Sequence, residues 1–546
     1  MVEDDATTIL DAIIIGSGLG GICQAIKLKE RNIHHFLILE KENDLGGTWR
    51  DNTYLGAECD VPIALYSYSF ASADRHYETF LGQKAVLDYI REVSDKYRVT
   101  EHIRYGANVE GLSFDEDSCI WNVRVSGGGK YRARFVISAV GQLHHPKIPD
   151  FPGANQFQGE AFHTARFGSR NIDHFVGKRV AVIGNGASGI QIIPPLQKVC
   201  KELHVYQRTP SYIFPKVRLS RAEEKIIADF PIVRRAAREF LRMFAEGALY
   251  AAIKGEAWAQ FALKKICDTN RSKVKDPEKR DKLHPRYPVG AKRTLFSDDF
   301  YPAVDKSNVF LHEDGIKEIC EMGIVNSDGS RIEVDTIIYA TGFITNPLLH
   351  GMTVTGRSDK VLWKNEKGMR AYLGVATSGF PNLFFLYGPH TNTGHASVID
   401  FLEPQSDFVT NAMYHVKEHG YKSIEVQESA ENEFLNHVEQ VAKNLTFSVF
   451  KNSNYMSNGR LVNNWVGTIG EHVASLYRID FGDDFTLGGK MTHEEEGILG
   501  RMNEEEVSQK IPSLKDIMFA SLVRIPVYTV MLASQFVRIS FSLIRN

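Results

Sequence analysis

The sequence predicts an α/β protein built from two similar βαβ units, and three observations support this. Two apolar runs each open into a Gly-x-Gly-x-x-Gly turn, one beginning at Gly16 and the other at Gly184. A helical segment and a second β-like run follow each turn, and each second run leads into a charged residue. This order is typical of Rossmann-like dinucleotide-binding domains. We therefore expect two such domains, each with a β-hairpin closure, and a helical insertion.

The first unit has Gly16, Gly18 and Gly21 in the turn between its strand and its helix. Glycines let the backbone approach a pyrophosphate, and a helix N-terminus favours its negative charge. The next strand ends in Glu40, at the place where an acid hydrogen-bonds a ribose hydroxyl. We therefore expect this unit to bind an adenosine without a 2′-phosphate.

The second unit repeats the turn with Gly184, Gly186 and Gly189, and Ser188 lies within it. Its second strand is followed by Arg208 instead of an acid, and a guanidinium suits the 2′-phosphate of NADP. The two units together predict two different dinucleotides, a resident FAD in the first and a visiting NADPH in the second. The alternative is a duplication in which one of the two sites is inactive.

Each unit leads on to a β-hairpin and a turn of small residues. Alternating residues around the glycines at 127–129 predict the first hairpin, which ends in the turn at 138–141. Asp328-Gly329 begins the second copy, which ends at the turn 340–342. The repeated order predicts an internal duplication.

Residues 216–289 differ in character from the two units and predict a helical insertion in the second. Ser220 and Glu223 have the spacing of a capping box. Asp276 before Pro277 predicts another helix start. The predicted division of the chain is 1–145, first part of the FAD domain; 146–215, first part of the NADP domain; 216–289, insertion; 290–380, second part of the NADP domain; 381–490, second part of the FAD domain; and 491–546, C-terminal extension.

Two further loops are candidate ligand contacts. Gly47 and Thr48 lie beside Trp49, and glycines next to a large aromatic side chain suggest backbone packed on a flat ligand. The alternatives are a glycine-rich surface loop for these residues and a turn or cap aspartate for the nearby Asp60. Asn392 follows a buried strand and its turn, at 381–390.

Composition excludes several classes of function. The chain has 546 residues, 43% hydrophobic and 24% charged, which is enough for two to four domains with ample cores. A net charge of −3 gives no reason to expect nucleic acid. The six cysteines include no Cys-x-x-Cys pair and no metal-like cluster, and no secretory signal precedes the first strand. We expect a reduced, cytoplasmic protein without a metal.

The C-terminal extension contains a mostly apolar segment, 518–544. At 100° per residue its polar side chains share one face: Arg524, Gln535, Arg538, Ser542 and Arg545. The uncharged stretch is short for a membrane span, so the pattern favours a helix lying on a membrane surface. A helix packed on its own protein or on a second subunit is the alternative.

From about residue 10 to 480, the chain resembles the Baeyer–Villiger monooxygenases and their flavin-containing monooxygenase relatives. The family fingerprint, Phe-x-Gly-x-x-x-His-x-x-x-Trp, is matched by Phe157, Gly159 and His163. Phe167 followed by Gly168 replaces its ending. The branch that oxidises nitrogen or sulfur accepts Phe at this position, so Phe167 favours that branch.

A second family motif favours the ketone-oxidising branch. This motif reads Gly-Gly-x-Trp, then aromatic-Pro-Gly, then Asp. The residues of this chain that match it are Gly46, Gly47, Trp49, Tyr54, Gly56 and Asp60. Leu55 replaces the proline of the motif. The family's active-site arginine falls on Arg293, preceded by a lysine. Asp60 and Arg293 are the charged pair of the ketone branch, and we give them more weight than Phe167 because they perform chemistry.

The resemblance implies an NADPH-dependent FAD monooxygenase. In the ketone branch, O2 and reduced flavin form a C4a-peroxide that attacks a ketone and gives an ester or lactone. Arg293 would stabilise the anion and Asp60 would orient Arg293. The expected cofactor contacts are Gly16, Gly18, Gly21, Glu40, Gly47, Thr48, Trp49, Asp60, Gly184, Gly186, Ser188, Gly189, Arg208, Thr209, Ala340, Thr341, Gly342 and Asn392.

Three other functions compete with this one. An N- or S-monooxygenase would use a protonated C4a-hydroperoxide and would not need the arginine. A pyridine-nucleotide disulfide reductase shares the two-dinucleotide plan but requires a redox cysteine pair, which is absent from the sequence. A membrane-bound flavoprotein without catalytic activity would bind flavin and leave NADPH unoxidised.

Overall fold

The computed structural model describes residues 8–73, 78–216, 218–364, 368–450, 455–457 and 459–491. The amphipathic helix predicted at 518–544 lies outside these residues. Within them, every helix is too short or too polar to reach across a lipid bilayer.

Strands and helices alternate along most of the chain. The strands are β1 (Ile9–Ile15), β2 (Phe36–Leu39), β3 (Ile103–Arg104), β4 (Val109–Asp115), β5 (Ile120–Val125), β6 (Lys130–Ser138), β7 (Glu160–His163), β8 (Arg179–Ile183), β9 (Glu202–Tyr206), β10 (Ile213–Phe214), β11 (Leu295–Phe296), β12 (Val309–His312), β13 (Ile316–Cys320), β14 (Gly323–Asn326), β15 (Arg331–Glu333), β16 (Thr336–Tyr339), β17 (Thr353–Thr355), β18 (Leu383–Phe385), β19 (Tyr421–Val426), β20 (Met456–Ser457), β21 (Arg460–Leu461) and β22 (Phe485–Lys490). The helices are α1 (Leu19–Glu30), α2 (Thr48–Asp51), α3 (Gln83–Lys96), α4 (Ala187–Gln197), α5 (Arg221–Asp229), α6 (Pro231–Phe244), α7 (Tyr250–Ile253), α8 (Ala257–Arg271), α9 (Pro277–Lys282), α10 (Phe300–Val304), α11 (Ile399–Glu418), α12 (Glu428–Ala442) and α13 (Ile469–Tyr477).

The first unit is a mixed sheet with the order β17-β4-β5-β6-β1-β2-β3, and β18 also pairs with β6. Its central strand β1 runs parallel to β2 and β6. Alternate residues of β1 enter cores on opposite faces of the sheet, Ile14 on one and Ile13 on the other. Burial on both faces explains why this strand reads as a continuous apolar run.

The second unit is a parallel sheet with the order β12-β9-β8-β16-β7. Its central strand, β8, has Val182 in one core and Ala181 in the other. The two sheets, each with a strand, glycine turn, helix and strand at its centre, confirm the predicted α/β class with two Rossmann-like units.

The two hairpin closures differ in construction. In the first unit, the single strand β6 pairs antiparallel with β5 on one side and parallel with β1 on the other. In the second, β15 completes the antiparallel hairpin and the separate strand β16 enters the parallel sheet. The break between them includes Asp335, whose carboxylate accepts a hydrogen bond from the backbone N–H of Arg179 at 2.8 Å. The two units are therefore close in plan, and they differ where Asp335 interrupts the strand.

The insertion contains helices α5 to α9, as predicted. Ser220 and Glu223 form the capping box, and the Asp276 side chain caps α9. The two strands that flank the insertion lie side by side, because β10 pairs in parallel with β11, with Ile213 opposite Leu295. The segment after β10 and the segment before β11 therefore leave this pair at opposite ends.

Candidate active site

The first glycine turn is shaped by steric constraints that only glycine meets. Gly16 has a φ of +100°, and a Cβ there would lie 2.8 Å from the carbonyl oxygen of Ala139. A Cβ on Gly21 would overlap the carbonyl oxygen of Gly16. Gly18 precedes the first turn of α1, and a Cβ there would meet only the Cα of Gly47, at 3.8 Å. The backbone N–H groups at this end of α1 therefore face open space that suits a pyrophosphate.

The second glycine turn has the same construction. Gly184 has a φ of +112°, and a Cβ there would overlap the carbonyl oxygen of Ala340. A Cβ on Gly189 would overlap the carbonyl of Gly184, while one on Gly186 would meet nothing within 4 Å. Both turns therefore pack against the residue after the last strand of the unit, Ala139 or Ala340, and both leave the helix N-terminus open to a ligand.

Glu40 is engaged by its own chain. It is 4% exposed, and one carboxylate oxygen accepts hydrogen bonds from the Ser17 backbone N–H at 2.9 Å and the Ser17 hydroxyl at 2.7 Å. The other oxygen accepts from the Glu42 N–H at 3.0 Å and lies 3.1 Å from Nη1 of Arg50. Glu40 therefore anchors the first glycine turn through Ser17.

Arg208 lies exposed just beyond β9, where it was expected, and Lys292 lies near it. Burial lowers the pKa of Lys292, and the charge of Arg208 lowers it further. The Lys292 ammonium lies 4.8 Å from the ring centre of Phe450 and 5.5 Å from that of Tyr287. No described residue forms a hydrogen bond or ion pair with either Arg208 or Lys292. Two neighbouring cations without a carboxylate between them have the charge that suits a multiply charged anion.

Asp60 and Arg293 form a two-point ion pair. Nη2 of Arg293 lies 2.8 Å from Oδ1 of Asp60, and Nε lies 3.3 Å from Oδ2. The Asp60 charge raises the pKa of Arg293. Protein surrounds the guanidinium, yet 42% of the Arg293 side chain is exposed, so the pair lies in a cleft with room for a ligand. The alternative interpretation of Asp60 as a simple turn aspartate does not account for this pairing.

Side chains from both ends of the insertion reach one loop of the first unit. Arg293 lies two residues before β11, and Lys216 lies two residues after β10. Both side chains reach the same loop of the first unit, where Lys216 pairs with Glu58 as Arg293 pairs with Asp60. The backbone N–H of Arg293 also donates to the Tyr455 hydroxyl at 3.2 Å.

A polar network adjoins the charged pair. The Tyr387 hydroxyl donates to the Asn392 side chain at 2.5 Å, and the Asn392 amide donates to the Asn464 side chain at 2.6 Å. Burial raises the pKa of Tyr387 to about 12, although the charge of Arg293 opposes the shift. Asn464 is fully buried, and its amide nitrogen has no partner in the described residues. The network holds Asn392 in one orientation beside the cleft.

The Gly47 loop meets the first glycine turn directly. Gly47 has a φ of +53°, and a Cβ there would lie 3.2 Å from the Cα of Gly18. Thr48 and Trp49 follow in α2, and the Trp49 indole donates to the Tyr66 hydroxyl at 3.0 Å. Backbone and indole therefore lie near the phosphate turn, as expected for contacts with a flat ligand.

The remaining predicted contacts of the second unit cluster around its glycine turn. Ser188 lies in the first turn of α4, and the carbonyl of Thr209 accepts a hydrogen bond from the Asn185 side chain at 3.2 Å. The Thr341 hydroxyl donates to the Lys147 carbonyl at 2.5 Å, and Gly342 has a φ of +81°. The structure thus brings all four to the carboxyl edge of the second sheet.

The fingerprint is a packing element. Phe167 is 1% exposed, and its ring lies 5.7 Å from Phe162 and 5.9 Å from Phe175 in the core of the second unit. His163 is buried, accepts a hydrogen bond from the Ala165 N–H at 3.1 Å and lies edge-on to Phe343. Phe167 therefore affects the chemistry only through packing, whereas Asp60 and Arg293 line the cleft.

Four residues of the site were not among the predicted contacts: Lys292, Tyr387, Tyr455 and Asn464. Lys292 had a signal in the sequence, its position next to Arg293. The other three join the site through tertiary contacts and carry no local pattern.

Comparisons with known proteins agree with this geometry. A family model described as flavin-binding monooxygenase-like matches residues 11–367. A Baeyer–Villiger monooxygenase of Pseudomonas aeruginosa is 35% identical over 442 residues, covering 80% of this chain and 83% of the relative. One of Streptomyces coelicolor is 33% identical over 480 residues, covering 86% and 91%.

Solved structures show the same likeness. Cyclohexanone monooxygenase from Rhodococcus sp. Phi1, bound to NADP+, has a TM-score of 0.79 and 26% identity, covering 88% of this chain and 99% of that one. OTEMO in complex with FAD and NADP has a TM-score of 0.77 and 28% identity, with the same coverage. The chain therefore belongs to the flavin-binding monooxygenase-like family, and it is an FAD- and NADPH-dependent monooxygenase of the Baeyer–Villiger type.

Proposed function

We propose that this enzyme inserts an oxygen atom next to the carbonyl of a ketone and gives an ester or lactone, with Arg293 and Asp60 as its charged catalytic pair. The observation that carries the proposal is the two-point contact between them, 2.8 and 3.3 Å, in an accessible cleft. Bound FAD would supply the redox chemistry, taking a hydride from NADPH and passing electrons to O2.

Arg293 would act as a fixed positive charge. Asp60 holds the guanidinium in one orientation and raises its pKa, so Arg293 stays protonated at any working pH. A preorganised cation in a cleft stabilises negative charge that develops on a reacting oxygen. Its presence does not exclude a ketone or a nicotinamide ring from the cleft. Oxidation of nitrogen or sulfur needs no such charge, so the ion pair between Arg293 and Asp60 does not favour that alternative.

The residues around the two glycine turns fit the two dinucleotides. We assign to FAD the residues Gly16, Gly18, Gly21, Glu40, Gly47, Thr48, Trp49, Asp60 and Asn392. We assign to NADPH the residues Gly184, Gly186, Ser188, Gly189, Arg208, Thr209, Ala340, Thr341 and Gly342. Lys292 joins this second set, because it shares with Arg208 the site for a 2′-phosphate.

The domain division follows the two sheets. Strands β1 to β6 and β18 belong to the first sheet, and β7, β8, β9, β12 and β16 belong to the second. Strand β17 already pairs with β4 of the first sheet. We therefore propose that the chain returns to the FAD domain before Thr353, within the segment predicted as 290–380.

We also propose that the C-terminal segment 518–544 lies on a membrane surface. Its basic side chains share one helical face opposite Leu, Ile, Val and Phe. This proposal rests on the sequence pattern alone.

A substrate screen tests the ketone reaction. NADPH oxidation and product mass are measured with cyclic and linear ketones, and in parallel with amines and thioethers. We expect a mass gain of one oxygen with ketones and ester or lactone products. Oxidation of amines or thioethers with no ester from any ketone would assign the enzyme to heteroatom oxygenation instead.

A further inference from the structure

Helix α6 is held to the protein by its arginines. Arg238 is 8% exposed and donates to the backbone carbonyls of Ser67 at 2.7 Å and Ala64 at 3.1 Å. Arg238 and Arg242 also pair with the buried carboxylate of Asp400, at 3.3 and 2.5 Å. A surface helix ordinarily buries its apolar face and exposes its charged face, but here Arg238 and Arg242 face inward, while Arg235 on the other side of the helix is exposed.

Apolar side chains face outward from the same region. Six of the fourteen strongly exposed large apolar side chains among the described residues fall between 226 and 261. We name these six the outward patch: Ile226, Phe230, Ile232, Met243, Trp258 and Phe261. Their exposed fractions run from 49% to 78%. Ile226 lies on α5, Phe230 joins α5 to α6, Ile232 and Met243 lie on α6, and Trp258 and Phe261 lie on α8; α5 contacts α6, and α7 contacts α8. Apolar surface concentrated in this way marks an interaction site.

Exposed charges around the outward patch are mainly positive. On α5 to α8 and their connections, the exposed charged side chains are the six cations Arg221, Lys225, Arg235, Lys254, Lys264 and Lys265 and the three anions Asp229, Glu239 and Glu256. The excess of three positive charges disfavours a second copy of the same surface. It equally disfavours the chain's own C-terminal segment, whose charged residues are arginines.

We propose that the outward patch docks on the surface of a phospholipid bilayer that contains anionic lipid. Trp258 and Phe261 are one helical turn apart at the start of α8, followed by Lys264 and Lys265. Aromatic side chains at the headgroup level combined with lysines that attract anionic lipid are the features of a membrane-surface helix. Because Arg238 and Arg242 hold the inner side of α6, its outer residues Ile232 and Met243 are free to join the same contact.

Vesicle sedimentation of the full-length, FAD-bound protein tests the proposal. Vesicles of phosphatidylcholine containing phosphatidylglycerol should bind the protein, and vesicles of phosphatidylcholine alone should bind it less. The double variant Trp258→Ser, Phe261→Ser should lower the partition coefficient at least about tenfold, because two large apolar side chains no longer enter the interface. Replacing Val176 and Met322, which are 59% and 56% exposed in the second unit, by Ser gives the matched control and should change nothing.

A second variant addresses charge without touching apolar residues. The double variant Lys264→Glu, Lys265→Glu should bind the anionic vesicles at least about fivefold more weakly for each lysine replaced. High salt should weaken the binding of the unmodified protein in the same way. Flavin absorbance and the thermal midpoint report whether each variant is folded. All variants keep the C-terminal segment, so a loss is due to the patch. Unchanged vesicle binding in both double variants would overturn the proposal, as would patch-dependent self-association without vesicle binding.

Discussion

Arg293 and Asp60 are 233 positions apart in the chain, and their side chains meet with Nη2 2.8 Å from Oδ1. The contact joins the end of the helical insertion to a loop of the first dinucleotide unit. The pairing of β10 with β11 fixes the backbone two residues beyond Arg293, and the Tyr455 hydroxyl accepts a hydrogen bond from the Arg293 backbone N–H.

Replacing Arg293 by Ala should abolish oxygenation while FAD stays bound. The glycine turn of the first unit is independent of Arg293, so flavin absorbance should persist. Losing one preorganised electrostatic stabiliser typically costs about 2.7–4 kcal/mol, or roughly two to three orders of magnitude in rate. Ester formation is measured by product mass, and residual NADPH oxidation should yield hydrogen peroxide.

Asp60→Ala should weaken the same step, since Arg293 would lose its orienting partner. Arg218→Ala is the control, because Arg218 is 57% exposed and makes only long ion-pair contacts, 4.0 Å to Glu58 and 3.6 Å to Asp298. An Arg293→Ala enzyme that still converts a ketone to an ester at nearly the original rate would contradict the proposed role.

Arg208 and Lys292 should together determine the preference for NADPH over NADH. A charge-assisted hydrogen bond contributes about 1.5–3 kcal/mol, so Arg208→Ala should raise the Michaelis constant for NADPH about ten- to a hundredfold. The constant for NADH should change little, because NADH has no 2′-phosphate. Lys292→Ala should act in the same direction. Lys201→Ala is the control, because Lys201 is an exposed cation of the same unit. An unchanged ratio of the two Michaelis constants in the Arg208 variant would show that another residue binds the 2′-phosphate.

Local patterns predicted the turns well because their causes are local. Gly16 and Gly184 are required by backbone conformation and by the carbonyl oxygen that each one faces, and those constraints are visible in the spacing of the glycines. The capping box at Ser220 is equally local. Alternation around a glycine turn likewise predicted β5 and β6.

Contacts that depend on tertiary placement could not be predicted from the sequence. The three-residue strand β17 has no periodicity that assigns it to the first sheet. Tyr387 and Asn392 are close in the sequence, but Asn464 lies 72 positions after Asn392, and only folding joins it to their network. Asp60 and Arg293 could be paired in advance only through the family resemblance, since no local rule links positions so far apart.

Breaking the ion pair between α6 and α11 should destabilise the protein. Arg238 is 8% exposed, and Arg238→Met would leave two carbonyls and part of the Asp400 carboxylate without their donor. Removing one partner of a buried pair costs about 3–5 kcal/mol. Arg235→Met on the exposed side of the same helix should cost far less. Thermal midpoints of the FAD-bound proteins measure the difference, and equal midpoints for the two variants would mean that Arg238 contributes no more than a surface residue.

Deleting residues 517–546 should weaken membrane association and leave the flavin bound. An amphipathic basic segment adds apolar contact and charge attraction to a membrane surface, and two such signals bind far more firmly than one. The protein is followed between pelleted and supernatant fractions after cell lysis, with flavin absorbance as the control for folding. Loss of FAD on deletion would instead show that the segment packs on the protein itself.

Acidification should destabilise the protein through its buried histidines. Burial lowers the pKa of His163, His390, His395 and His472 to about 4, below their ordinary value of about 6.5. Between those two values the unfolded chain binds protons that the folded chain does not, so the stability present above pH 6.5 falls as pH decreases towards 4. The loss is about 1.4 kcal/mol per pH unit for each histidine. His395→Gln should therefore reduce the difference between the thermal midpoints at pH 7 and pH 5. The control His437→Gln, at an exposed position, should leave that difference unchanged. Equal differences in both variants would exclude His395 as a source of the acid sensitivity.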